Sequence, residues 1–187
     1  MKRYLLTVGM LLMTASLALA DSATATQTFT VACPAMAVVH VTTTSPTGLA
    51  LSAPATGGLA PTAVTQSGGY LQWTSVETSS TNNIKAHVST GTGTQIPAGC
   101  ALQLAAGTVT VDGTITGQIA AGSAGTPGTI AALSATDQNL ITNIPSVATG
   151  NGTYGSPLTY TLSTSNWASL KADTSESVTV TMTLTSN

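Results

Sequence analysis

Few residues in this chain could do acid–base or nucleophilic chemistry. His40 and His87 are its only imidazoles. A nucleophile needs a base beside it, and a base needs a group that orients it. His40 sits in Val38-Val39-His40-Val41, with no carboxylate near it in sequence. His87 follows Ile84 and Ala86 in a run of alternating apolar residues. It therefore takes the outward parity with Lys85 and Ser89. Serines are plentiful, but no Gly-x-Ser-x-Gly elbow carries one.

The six carboxylates are Asp21, Glu77, Asp112, Asp137, Asp173 and Glu176. Glycoside hydrolysis would need two of them in one cleft. The closest pair in sequence, Asp173 and Glu176, reads as a solvated turn before the last strand. Calcium needs a convergent set of oxygen ligands, and Asp137-Gln138-Asn139 is too thin to supply one. Gly122, Gly125 and Gly128 precede no helix, so they read as a flexible loop rather than a phosphate cradle. Cys33 and Cys100 share no metal-ligand spacing with the histidines. No catalytic, cofactor-binding or metal-binding residue is assigned, and no enzymatic activity is expected.

The start of the chain has the pattern of an export signal. Lys2 and Arg3 precede the apolar run Tyr4 to Leu17, and Ala18-Leu19-Ala20 offers small residues to a signal peptidase. The expected division is a signal peptide over 1–20 and one secreted domain over 21–187. The apolar run is short for a membrane span, and no later stretch reaches about 18 to 20 apolar residues. Cleavage leaves Lys85 and Lys171 against six carboxylates. Such a chain has no basic patch for phosphates, which argues against nucleic acid and anionic membrane surfaces. Export also makes a Cys33–Cys100 disulfide the leading reading, contributing about 4 kcal/mol on the chain-entropy model. Two free thiols are the competing one.

The positioning elements are strands. Val178, Val180, Met182 and Leu184 alternate with Thr179, Thr181, Thr183 and Thr185, a pattern that suits a half-buried pleated surface. Nothing is expected to fold over this last strand. The segment from Ala23 to Val31 alternates too, and Pro34 stops it just after Cys33. Further strands are expected at 37–41, 48–51, 70–76, 84–89, 101–104, 108–111, 114–119, 129–133 and 158–163. Gly, Pro, Asn and Ser clusters separate them at 56–61, 66–69, 91–99, 121–128 and 149–157. A three-residue hairpin loop is expected around Asp112-Gly113, because it keeps Val111 and Ile115 on one face. Short helical turns are expected at 137–141 and 166–171. The resulting class is all-β, an immunoglobulin-like or pilin-like two-sheet sandwich.

Aromatic parity sorts the rings. Trp73 pairs in parity with Leu71, and Tyr160 with Leu158 and Leu162, so both belong to the core. Tyr154 and Trp167 fall in loop-like segments and are candidates for exposure.

Three function classes follow. In the leading one the chain is a structural subunit of a fimbria, filament or coat, with a homo-oligomer or cell-surface assembly as its partner. Only 5% of the residues are charged, so Thr and Ser must make the surface, with little electrostatic protection against self-association. Open strand edges are templates for another chain, and Thr26, Phe29 and Val31 mark a candidate assembly strand. The same segment read as the first strand of its own sandwich is the competing assignment. The second class is a monomeric surface adhesin or carbohydrate-binding module using Tyr154 and Trp167. The third is a hydrolase using the scattered carboxylates.

The alternating N-terminal run, Pro34 after it, and the closing Val178-Thr179-Val180-Thr181-Met182-Thr183-Leu184 resemble bacterial fimbrial major subunits and related secreted β-sandwich surface proteins. The resemblance implies a pilin-like role outside the membrane and no catalysis.

Overall fold

The computed structural model describes residues 27–42, 46–77, 81–89, 96–172 and 177–186. Two compact units divide the chain between Cys33 and Pro34. Of the first unit, residues 27–33 are described. They form no regular secondary structure, and Phe29 and Val31 are 73% and 79% exposed. The expected strand up to Val31 is therefore not formed over its described part.

The second unit is a sandwich of two antiparallel sheets. Its strands are β1 (Met36–Val41), β2 (Val64–Val76), β3 (Asn82–Val88), β4 (Cys100–Ala106), β5 (Thr126–Pro127), β6 (Thr129–Ile130), β7 (Gln138–Ile144), β8 (Val147–Ala148), β9 (Ser156–Thr164) and β10 (Val180–Ser186). The larger sheet runs β1-β2-β9-β4-β6, with β8 also on β2, and the smaller runs β10-β3-β7-β5. The all-β two-sheet reading is what the chain adopts.

Period-two alternation explains the core. From the larger sheet Leu71, Trp73, Leu102, Leu104, Leu158 and Tyr160 point inward, and from the smaller Ile84, Ala86, Val88, Leu140, Ile141, Ile144 and Leu184. Their neighbours Thr159, Thr161 and Ser163 lie on the outer surface of β9, where Thr161 exchanges a 2.9 Å hydroxyl bond with Thr65 of β2. Burying so many aliphatic side chains, each contributing about 1.5–3 kcal/mol relative to exposure, is the main driving force.

Several local expectations are overturned. Residues 66–69 read as a turn but lie inside β2, whose register against β9 shifts between Ser67 and Tyr70. The glycine there serves packing: a Cβ on Gly68 would fall 2.3 Å from Cε2 of Tyr160, so only glycine lets that ring lie against the bulge. Residues 137–141 read as helical but enter β7, because Leu140, Ile141 and Ile144 are fully buried against both sheets. Tertiary burial outweighs the polar Asp-Gln-Asn start. Residues 114–119 form no strand and Asp112-Gly113 no hairpin. Instead Thr114 donates to Asp112 Oδ1 from its N–H and its hydroxyl, at 2.9 and 2.7 Å, and Ile115 N–H donates to Asp112 O. Residues 48–51 stay irregular, and of 108–111 only Thr110 pairs, with Gly155. The turn at 166–171 does form, as a 3-10 helix over Trp167–Ser169.

Candidate functional site

The two lateral sides of the sandwich differ. On one side a short segment switches from the smaller sheet to the larger. Thr126 and Pro127 pair with Thr142 and Ile141 of β7, and Thr129 and Ile130 pair with Ala105 and Leu104 of β4. Between them Gly128 N–H donates to Leu140 O at 2.8 Å, while its carbonyl accepts from Ala106 N–H at 3.0 Å. Gly125, at φ +141, permits the entry: a Cβ there would lie 2.8 Å from Ile141 Cγ2. This side is closed by main-chain bonds to both sheets.

On the other side the edges are β1 and β10. Among the described residues β1 pairs with β2, from Met36↔Val76 to Val41↔Leu71, and β10 with β3, from Val180↔Val88 to Ser186↔Asn82, and neither pairs with a further strand. No backbone hydrogen bond joins β1 to β10 among the described residues. The inward side chains near this opening, Val39, Val41, Val178, Val180 and Met182, pack on the core but remain only partly buried. Trp73, opposite Val39 in the register, is 2% exposed, and its indole N–H has no hydrogen-bond partner. The outward positions of β1 carry apolar residues as well, Met36 41% and Val38 59% exposed, beside exposed His40. An edge that pairs with no further strand among the described residues, beside partly covered apolar seats, meets the requirements for adding a strand.

The sequence-predicted residues are distributed as follows. Phe29 and Val31 are exposed on the segment before Pro34, and Thr26 lies outside the described residues. Cys33 and Cys100 are both free thiols, so the expected staple is not formed. Cys33 is exposed before Pro34, whereas Cys100 is held at the start of β4 opposite Thr164, where burial raises its thiol pKa. Trp167 is 62% exposed. Tyr154, expected exposed, is half-buried, with its ring 3.2 Å from the position a Cβ on Gly150 would take. Asp173 and Glu176 lie outside the described residues.

His87 does face outward, and the structure supplies a partner that sequence reasoning missed. Its Nδ1 lies 2.7 Å from Oδ1 of Asp137, fifty positions away in the chain. Both side chains are substantially exposed. The nearby Ser89 hydroxyl is engaged with the Thr181 hydroxyl at 2.7 Å. No local signal linked these residues, because the start of β7 is brought alongside β3 by the sheet. His40 is exposed on β1.

Among the described residues no three His, Cys, Asp or Glu side chains converge as a metal site, and no helix is long and apolar enough to cross a membrane. Comparison with protein-family models, with curated proteins and with solved structures finds no match.

Proposed function

We propose that the chain is a non-catalytic extracellular structural subunit of a fimbria, filament or coat, and that copies join by strand addition at the β1/β10 opening. The observation that carries this reading is the contrast between the sides: main-chain bonds lock the 126–130 segment to both sheets, while the β1 and β10 edges leave Val39, Val41, Val178, Val180 and Met182 only partly covered. Three features support it. Phe29 and Val31 alternate on a segment without regular secondary structure, with most of their apolar surface in water. The leader-like pattern over 1–20 directs the chain out of the cell. The resemblance of the chain's two ends to fimbrial subunits points to the same role.

In this reading the segment around Phe29 and Val31 of one copy lies along the edges of the next. Its apolar residues fill the opening, and its N–H and C=O groups complete the edge bonding. Light scattering and electron microscopy of the native exported protein test it. Polymers are expected, and deletion of 21–30 is expected to abolish them. Unchanged polymers after that deletion overturn the reading.

A further inference from the structure

In the segments between β1 and β2 and between β9 and β10, two exposed apolar side chains face a common shallow cavity of about 380 Å³, lined by Gly58, Leu59, Ala60 and Trp167. Leu59 is 61% and Trp167 62% exposed. Single exposed apolar residues are ordinary on protein surfaces. Here two are brought together, and the chain holds each in place without using either in the core.

On the Trp167 side, Ser165 and Asn166 N–H both donate to Gly99 O, at 2.8 and 3.1 Å. The Asn166 side chain accepts from Ala168 N–H at 3.1 Å, and Leu170 N–H donates to Trp167 O at 3.2 Å. Gly99 sits at φ +78, and a Cβ on it would be 2.5 Å from Leu170 N, so only glycine admits this close approach. None of the three residues of the 3-10 turn is buried. The turn presents the indole and contributes nothing to the core. On the Leu59 side, reciprocal main-chain bonds between Ser52 and Thr62, at 3.1 and 2.9 Å, close the base of the loop. Gly57 and Gly58 leave open space where side chains would otherwise stand.

The lining selects the ligand. Among the described residues it holds no ionisable group, so a charged ligand gains nothing from them. Leu59 and Ala60 have apolar side chains and Gly58 has none, so the polar surface of the cleft comes from main-chain atoms and the indole N–H, while the electron-rich face of the indole attracts polarised C–H groups. A neutral ring with one C–H face and hydroxyls around its rim meets both features. We propose that this cleft binds a neutral pyranose unit of a polysaccharide, stacked on Trp167 and held laterally by Leu59. The site works in a monomer or in a polymer and does not depend on strand addition.

The chain has two tryptophans, and Trp73 is buried, so acrylamide-quenchable fluorescence of the native exported protein reports Trp167. The probes are cellohexaose, chitohexaose and mannohexaose at millimolar concentration, with a galacturonate hexamer as the charged control. At least one neutral probe is expected to shield Trp167 saturably, and the charged control to leave it accessible. By titration calorimetry, Trp167→Ala is expected to weaken that binding about tenfold or more, equivalent to about 1.4 kcal/mol, and Leu59→Ala less. Both variants should keep the wild-type circular dichroism and melting temperature, since neither side chain is in the core. The proposal is overturned if no neutral probe shields Trp167, or if binding survives Trp167→Ala. It is also overturned if shielding follows protein concentration instead of sugar, which would make Trp167 a contact between copies.

Discussion

The 126–130 side and the β1/β10 side use the same materials to opposite ends. Each is bounded by one edge from each sheet, and inward apolar side chains line both. At 126–130 a segment of the chain itself bonds to β7 and β4, and Ile141 and Ile144 beneath it are fully buried. At β1 and β10 no further strand pairs with the edges among the described residues, and Val180 and Met182 keep part of their surface in water. A sandwich becomes a closed fold or a template according to whether its own chain reaches both edges. Apolar character alone does not decide it, since aliphatic side chains line both sides.

The largest expected effect breaks this contrast outright. Phe29→Asp with Val31→Asp should leave the sandwich folded and remove polymers, because two carboxylates cannot be buried unpaired along an apolar edge. Met182→Glu should do the same from the receiving side. A mixture of the two variants should still form a single joint, since the Met182→Glu copy keeps an intact donor and the doubly substituted copy an intact edge. Light scattering on the mixture checks this. If the mixture stays monomeric while each variant alone behaves as expected, the two sites are not partners.

A second experiment sharpens the contrast in energy. Ile141→Ala should cost about 2–5 kcal/mol in urea denaturation, as for a fully buried aliphatic side chain in a closed core. Met182→Ala should cost about 1 kcal/mol or less in the monomer, because its surroundings are already partly water. If the opening is covered on assembly, Met182→Ala should cost more in the polymer than in the monomer. Equal costs at the two positions in the monomer would mean that the opening is as well packed as the closed side.

The middle of the larger sheet gives a third, smaller effect. Burial pushes the Tyr160 phenol up to about 12, whereas an unfolded tyrosine ionises near 10. The unfolded state therefore loses its proton first, and stability falls as pH rises. The contribution is complete below about pH 10 and is lost between about 10 and 12, on the order of 2 kcal/mol. Denaturation midpoints from pH 9 to 12 measure the slope, and Tyr160→Phe should flatten it. Tyr160 lies against Gly68, away from both edges, so monomer and polymer should share the slope.

Much of the fold was legible because burial writes a period of two into the sequence. Val178 to Leu184, Leu158 to Leu162 and Ile84 to Val88 each show one apolar parity; the last two lie wholly in strands, and the first does from Val180 onward. What failed was punctuation. Gly68 and Gly69 looked like a turn because glycine in a turn and glycine under a neighbouring ring are the same letter. Asp137-Gln138-Asn139 looked helical because its polarity is local, while the burial of Leu140 and Ile141 comes from strands far away in the chain. The exposure of Trp167 was legible from its loop. Its partner Leu59 was not, because no spacing rule connects residues more than a hundred positions apart. The closed side was invisible for a related reason: a two-residue strand such as Thr126–Pro127 has no period.

The smallest effect tests the absence of catalysis. His87 and Asp137 form the one close imidazole–carboxylate contact among the described residues, the first half of a nucleophile-activating arrangement. Its setting argues for an ordinary surface pair. The two side chains are 28% and 53% exposed, and the hydroxyl of Thr181, opposite His87 in the register, is bonded to that of Ser89. An exposed pair contributes about 0–1 kcal/mol. His87→Ala should therefore lower stability by less than about 1 kcal/mol and leave assembly unchanged, since β3 lies behind β10 rather than at the opening. A general esterase assay with p-nitrophenyl acetate should give the same background rate for wild type and variant. A rate that falls with His87→Ala and with Asp137→Asn, while stability holds, would convert this pair from a surface contact into a working site and remove the non-catalytic reading.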